Sequence, residues 1–261
     1  MKTIQTRIAA AALVLAGILP AAAQQPQGPD VLAQPAFTAI AQDLSPAEGL
    51  QLAAHINIVL RQYERAIPML EALLKTSPNR ADLWAALAVA YNRADEPREA
   101  LDAANIAITL APHYPHFYVE RGIAAFRLDQ QPRAIEDLTR YVRAFPANAR
   151  AHFYLGLAQA AHGETEAARA SLLRARRQNP MLGASTDYYL GLLAAERGQM
   201  GLSRELLVQT QRSFEGSGLP VSKLVAEQLQ DLDGTVALRI RAAMHEADVR
   251  IAHVPGSPAG R

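Results

Sequence analysis

Pro78, Pro112, Pro146 and Pro180 stand one fixed step of 34 residues apart, and Ala66, Ala100, Ala134 and Ala168 keep the same step. A period of that size marks a repeat architecture, in which one short unit cannot bury its apolar face alone and becomes stable by stacking on copies of itself. This restricts the fold before any single residue is considered. It also accounts for a chain that is 50% hydrophobic although nothing beyond its first residues approaches the eighteen or so uninterrupted apolar residues of a membrane-spanning helix.

Inside each period the side chains follow helical spacing. Leu87 and Tyr91 share one face, and Ala100, Ala104 and Ala107 line another at i, i+4 and i+7. Small residues on such a face let two helix axes approach at the near end of the usual range, about 8–10 Å. Pro97 and Pro132 fall at the start of second helices, where a missing N–H costs nothing. The 34-step prolines fall just beyond second helices and stop them. Ser45-Pro46-Ala47-Glu48 has the form of a capping box that opens the first unit. The frame gives units at 47–80, 81–114, 115–148 and 149–182 and, after one inserted residue, 184–217. Gly122, Gly156 and Gly191 take the small position that Ala88 fills in the second unit.

The unit from Ala81 to Tyr114 resembles the tetratricopeptide repeat (TPR), with Trp84, Leu87, Ala88, Tyr91, Ala100, Ala107 and Pro112 at the signature spacings. It departs from the pattern at Ala88, where Gly is commoner, and at Ala104, where an aromatic ring usually packs. The resemblance implies an all-α fold, a right-handed α/α superhelix of about five helix pairs. It also implies that first helices line a concave groove where partners dock. Carried onto this chain, that lining is Val119, Ile123 and Phe126, then Phe153 and Leu157, then Tyr188 and Leu192. Arg127, Arg150 and His116 form its polar rim. Gln51, His55, Ala85 and Val89 take the lining positions of the first two units. They differ from the Lys and Asn with which co-chaperone members of the family read acidic tails, so that activity is not implied. An apolar stripe suits an amphipathic helix or a hydrophobic peptide. Two other uses of the same stripe stay open: it is core, or the C-terminal part of the chain fills it.

The ends of the chain carry other signals. Lys2 and Arg7 precede an apolar run from Ile8 to Leu19, Pro20 breaks it, and Ala21-Ala22-Ala23 follows. Twelve residues reach only about 18 Å as a helix, short of a hydrocarbon core of about 30 Å. The expected segment is therefore a signal peptide over 1–23, cut between Ala23 and Gln24, with the bacterial periplasm as destination. Residues 24–35 read as a disordered linker, and Ala36 to Leu44 as a short helix covering the first unit. Residues 218–254 read as a C-terminal capping segment, in which Val221, Leu224, Val225, Leu229 and Leu232 share one helical face. Residues 235–252 fit a helix or a hairpin, and 255–261 a loose tail.

Chemistry is sparse by comparison. Twenty-six Lys plus Arg against 25 Asp plus Glu argue against nucleic-acid binding, which normally needs a basic excess or a basic stripe. The absence of cysteine excludes disulfides, thiol nucleophiles, iron–sulfur clusters and Cys-rich zinc sites. His113 and His116 lie three apart with no carboxylate in the stretch and read as a solvated loop rather than a metal site. No nucleophile elbow, phosphate-binding Gly loop or His-Glu-x-x-His motif occurs. Arg169, Arg174, Arg176 and Arg177 form a basic cluster near the end of a second helix. They read as a solvated helix end whose cations suit the dipole, or as a contact for an anionic partner. The expectation is thus a non-enzymatic, exported scaffold, without cofactor or metal, binding a protein or peptide partner in its groove and taking part in envelope assembly. A self-associating structural protein is the alternative.

Overall fold

The computed structural model describes residues 44–214. The signal peptide, the linker, the helix expected before Leu44, the capping segment and the tail lie outside the described residues. Among the described residues the chain is all helical: α1 Pro46–Val59, α2 Tyr63–Thr76, α3 Ala81–Arg93, α4 Pro97–Leu110, α5 Pro115–Arg127, α6 Gln131–Ala144, α7 Ala149–Ala161, α8 Thr165–Gln178, a 3-10 turn Pro180–Leu182, α9 Gly183–Glu196 and α10 Met200–Phe214. Consecutive helices pack in pairs, as the 34-residue step requires. None of these helices is long and apolar enough to cross a membrane. The chain divides into two compact units whose boundary falls inside α5, between Glu120 and Arg121.

In the first unit, helix ends follow local chemistry. The Ser45 hydroxyl accepts from the Glu48 N–H, and the Glu48 carboxylate accepts from the Ser45 N–H at 2.9 Å, so two otherwise orphaned donors are satisfied. Pro97 occupies the first turn of α4. The core of α2, α3 and α4 joins Leu70, Leu73 and Leu74 to Leu83, Leu87 and Ala88 and to Ala103 and Ala104. Trp84 and Tyr91 pack against its edge.

In the second unit, glycines mark where paired helices touch. A Cβ on Gly122 would stand 2.8 Å from Leu138 Cγ, and one on Gly156 would stand 2.7 Å from Leu172 Cγ. The same position at Gly191 would bring a Cβ to 3.1 Å from Leu207 Cγ. Only a hydrogen in place of a side chain permits this approach without displacing the facing leucine.

Two further regularities tie the repeat together. Every pair turns through one left-handed residue: Arg61 (φ 62°), Asp95 (φ 65°), Asp129 (φ 57°), Gly163 (φ 87°) and Gly198 (φ 72°). After each, an N–H reaches back to the preceding helix, as in Gln62 N–H to Asn57 O at 2.8 Å and Glu164 N–H to Gln159 O at 2.8 Å. This is the Schellman closure, which satisfies carbonyls the helix end leaves open. The second regularity uses the 34-step prolines as acceptors. Trp84 Nε1–H donates to Pro78 O (2.7 Å), Tyr118 O–H to Pro112 O (3.0 Å), and His152 Nε2 lies 3.0 Å from Pro146 O. Opposite a carbonyl, that His152 nitrogen must carry the proton. Three chemically different rings therefore latch one element in the same way.

Candidate functional site

The expected groove lining is interior. Val119 in the first unit is buried, and so are Ile123, Phe126, Phe153, Leu157, Tyr188 and Leu192 in the second. Phe153 and Tyr188 are 1% and 0% exposed. The rings pack on one another: Phe153 lies edge-on to Tyr154 and Tyr189 at 5.7 and 5.6 Å, Tyr188 meets Tyr189 at 5.2 Å, and Phe126 meets Tyr154 at 6.2 Å. The open aromatic stripe expected from the sequence is corrected accordingly, because rings sealed to this degree offer no area to an incoming partner. The physical reason lies in α7 and α9. Nearly every residue from Ala151 to Ala160 and every residue from Ser185 to Ala195 is buried, so both helices are enclosed on all sides, as a helix apolar all round must be. Of the expected rim, Arg127 and Arg150 are half-buried and His116 is exposed. Arg150 lies over the Tyr154 ring at 5.6 Å.

Buried charge in the second unit is structural. Asp137, 1% exposed, receives Arg121 through two hydrogen bonds of 2.7 and 2.8 Å, the bidentate geometry that compensates burial of a carboxylate. Burial pushes the Asp187 carboxyl up against the opposing pull of Arg176, whose guanidinium donates to it at 2.8 Å. Arg176 is thus drawn out of the basic cluster, while Arg169, Arg174 and Arg177 remain exposed. Burial also holds His152 below the usual histidine range, and the Arg174 charge adds to this against the raising effect of the Pro146 carbonyl.

An accessible concavity lies in the first unit. A cleft of about 480 Å³ opens between α2 and α4. Its floor is Trp84, Leu87 and Tyr91 of α3, and Leu74 and Ala103 close it from below. Glu71 and Lys75 stand on one wall, and Glu99, Asp102 and Ile106 on the other. Those five wall residues are all exposed. Tyr91 donates its hydroxyl to Glu71 at 2.6 Å, and burial, followed by this hydrogen bond and then the Glu71 charge, raises the phenol above its ordinary range. The Glu96 carboxyl is pushed up by burial and then by the charges of Glu99 and Glu71. A negative field therefore covers this mouth. Trp84 and Tyr91 stand at signature spacings of the repeat, so the sequence alone does not single out the cleft. The available signal was four carboxylates, Glu71, Glu96, Glu99 and Asp102, recurring around those two rings.

A smaller cavity of about 170 Å³ lies in the second unit, between α8 and α10 over α9. Leu190, Leu193 and Ala194 form its floor, and Arg169, Arg176 and Arg197 stand among its lining residues. Arg197 pairs with Glu166 there. Among the described residues no three His, Asp or Glu side chains gather as a metal site would need.

Two tetratricopeptide repeat models match the chain, over residues 60–118 and 119–181. No curated protein matches it. Solved structures that it resembles include MamA (residues 41 to the end) from Desulfovibrio magneticus RS-1, at 19% identity with a TM-score of 0.56, covering 66% of this chain and 96% of that one. YrrB, a TPR protein with an unusual peptide-binding site, is similar at 20% identity and a TM-score of 0.55 over 76% of this chain and all of that one. The APC/C hetero-tetramer Cut9–Hcn1 gives a TM-score of 0.63 at 14% identity, covering 75% of this chain and 38% of that chain.

Proposed function

Because the chain belongs to the tetratricopeptide repeat family, we propose that it is an exported, periplasmic scaffold whose task is to hold a protein or peptide partner in an envelope assembly. The observation that carries the location of binding is the contrast in access. The rings of α7 and α9 are sealed, while the cleft over Trp84 and Tyr91 is open and walled by exposed side chains. A scaffold of this kind needs rigid helix pairs to present a surface, and the partner's side chains supply the affinity by filling a preformed concavity. Peptide binding by a structural relative, YrrB, agrees with this use of the fold. Export rests on Lys2, Arg7, the apolar run and the alanines before Gln24.

Site-specific photo-crosslinking tests the reading. A photoreactive residue in place of Ile106, at the cleft wall, should give a discrete adduct in envelope extract of the native host. The same group in place of Arg212, on α10, should not. Equal labelling at both positions, or none at either, contradicts a docking role for the cleft. Intact mass of the exported protein should show loss of residues 1–23.

A further inference from the structure

The two ring-borne hydrogen-bond donors of the proposed docking cleft are used internally. The Trp84 ring N–H is committed to Pro78 O at 2.7 Å and the Tyr91 hydroxyl to Glu71 at 2.6 Å. An incoming group meets the Trp84 and Tyr91 rings together with the carboxylates of Glu71, Glu99 and Asp102, against the single ammonium of Lys75. Aromatic faces attract cations through the ring quadrupole, and carboxylates accept hydrogen bonds from them. A planar cation with several donors satisfies both walls at once: it stacks by its face and donates from its edge. Guanidinium has this shape and charge, and an ammonium supplies only the point charge. A volume of about 480 Å³ is within the usual size of a ligand pocket, with room for residues flanking one such side chain. We propose that the cleft is a receptor for an arginine side chain presented by a basic peptide segment of the partner, a reading that rests on the cleft being the docking surface.

Trp84 is the sole tryptophan of the chain, so its fluorescence reports on the site directly. The full mature chain is titrated at low salt with the peptide acetyl-Gly-Arg-Arg-Gly-amide and, in parallel, with the same peptide carrying citrulline for both arginines. Citrulline keeps the shape and removes the charge. The expected result is a saturable change in Trp84 emission with the arginine peptide, at least tenfold weaker binding of the citrulline peptide, and at least tenfold weaker binding by Glu99→Gln/Asp102→Asn. Both substituted carboxylates are exposed, so the variant should melt like the parent. The affinity should also fall as salt is raised. No saturable change with the arginine peptide, or an equal response to citrulline, overturns the proposal. An emission change that follows protein concentration without peptide, and is lost in the double variant, overturns it in favour of a second copy of this chain as the occupant. Crosslinking at Ile106 with no arginine response would leave the docking role standing and remove the arginine assignment alone.

Discussion

Two cavities among the described residues occupy the same place in the repeat and have opposite character. In the first unit the place between α2 and α4 is wide, aromatic and acidic, with Trp84 and Tyr91 beneath three carboxylates. In the second the place between α8 and α10 is small, aliphatic and lined by arginines, with Leu190 and Ala194 at its floor. The most fully enclosed rings, Phe153, Tyr154, Tyr188 and Tyr189, belong to the second unit, while Trp84 and Tyr91 stay partly open in the first. One backbone period therefore serves two purposes. Where the rings turn inward, the repeat acquires a dense core, and where they stay at the edge beside charge, it leaves an open cleft, which is the recognition surface under the function proposed above.

The largest expected effect tests this division. Phe153→Ala should cost about 3–5 kcal/mol, the range for a truncated core phenylalanine. Tyr91→Phe removes only the hydroxyl that bonds to Glu71 and should cost about 1 kcal/mol. Chemical denaturation of the two variants compares them, and equal costs would erase the distinction between core and edge. Next in size is Gly156→Leu, whose Cβ alone would stand 2.7 Å from Leu172 Cγ. A loss of about 1–3 kcal/mol is expected from overpacking, and a variant melting like the parent would mean that α7 and α8 do not meet at this point.

The turns sharpen the comparison at smaller scale. Asp95 in the first unit and Gly163 in the second hold equivalent left-handed conformations, which cost an ordinary L-residue about 1–2 kcal/mol. Part of any glycine's advantage, about 0.4–1 kcal/mol, is returned through the freer unfolded chain. Asp95→Gly should therefore stabilise by up to about 1 kcal/mol and Gly163→Ala should destabilise by a similar amount. Melting curves should show shifts of opposite sign.

The smallest effect is one of pH. His152 is held neutral by burial, so between its lowered folded value and the ordinary histidine pKa of about 6.5 the unfolded chain binds the additional proton. Stability is complete above that range and falls as pH drops through it. His152→Tyr, which copies the Tyr118 latch onto Pro112, should show a smaller loss of melting temperature between neutral and mildly acid pH. An unchanged loss would assign the acid sensitivity to other groups.

These contrasts also show what the sequence made legible. The 34-step prolines and the small residues at Gly122 and Gly156 led directly to helix pairs and to the points where they touch, because both are steric requirements with one chemical solution. The left-handed turn is hidden at Arg61 and only weakly marked at Asp95 and Asp129, since Asp adopts this conformation more readily than most residues without requiring it. The shared role of Trp84, Tyr118 and His152 was hidden for a related reason: three unlike side chains need only one ring-borne donor at one distance. The stripe that the sequence presents as an open face is buried. In α7 and α9 apolar residues run all round the helix, and periodicity cannot tell which face of such a helix meets a partner.

Amide hydrogen exchange on the full chain, with and without the arginine peptide, tests most directly the claim that recognition belongs to the first unit's cleft and the enclosed rings belong to the core. Added protection confined to residues 63–110, with residues 149–196 already slow and unchanged, is the result this account predicts. Protection appearing across 149–196 while 63–110 stays as it was would contradict it.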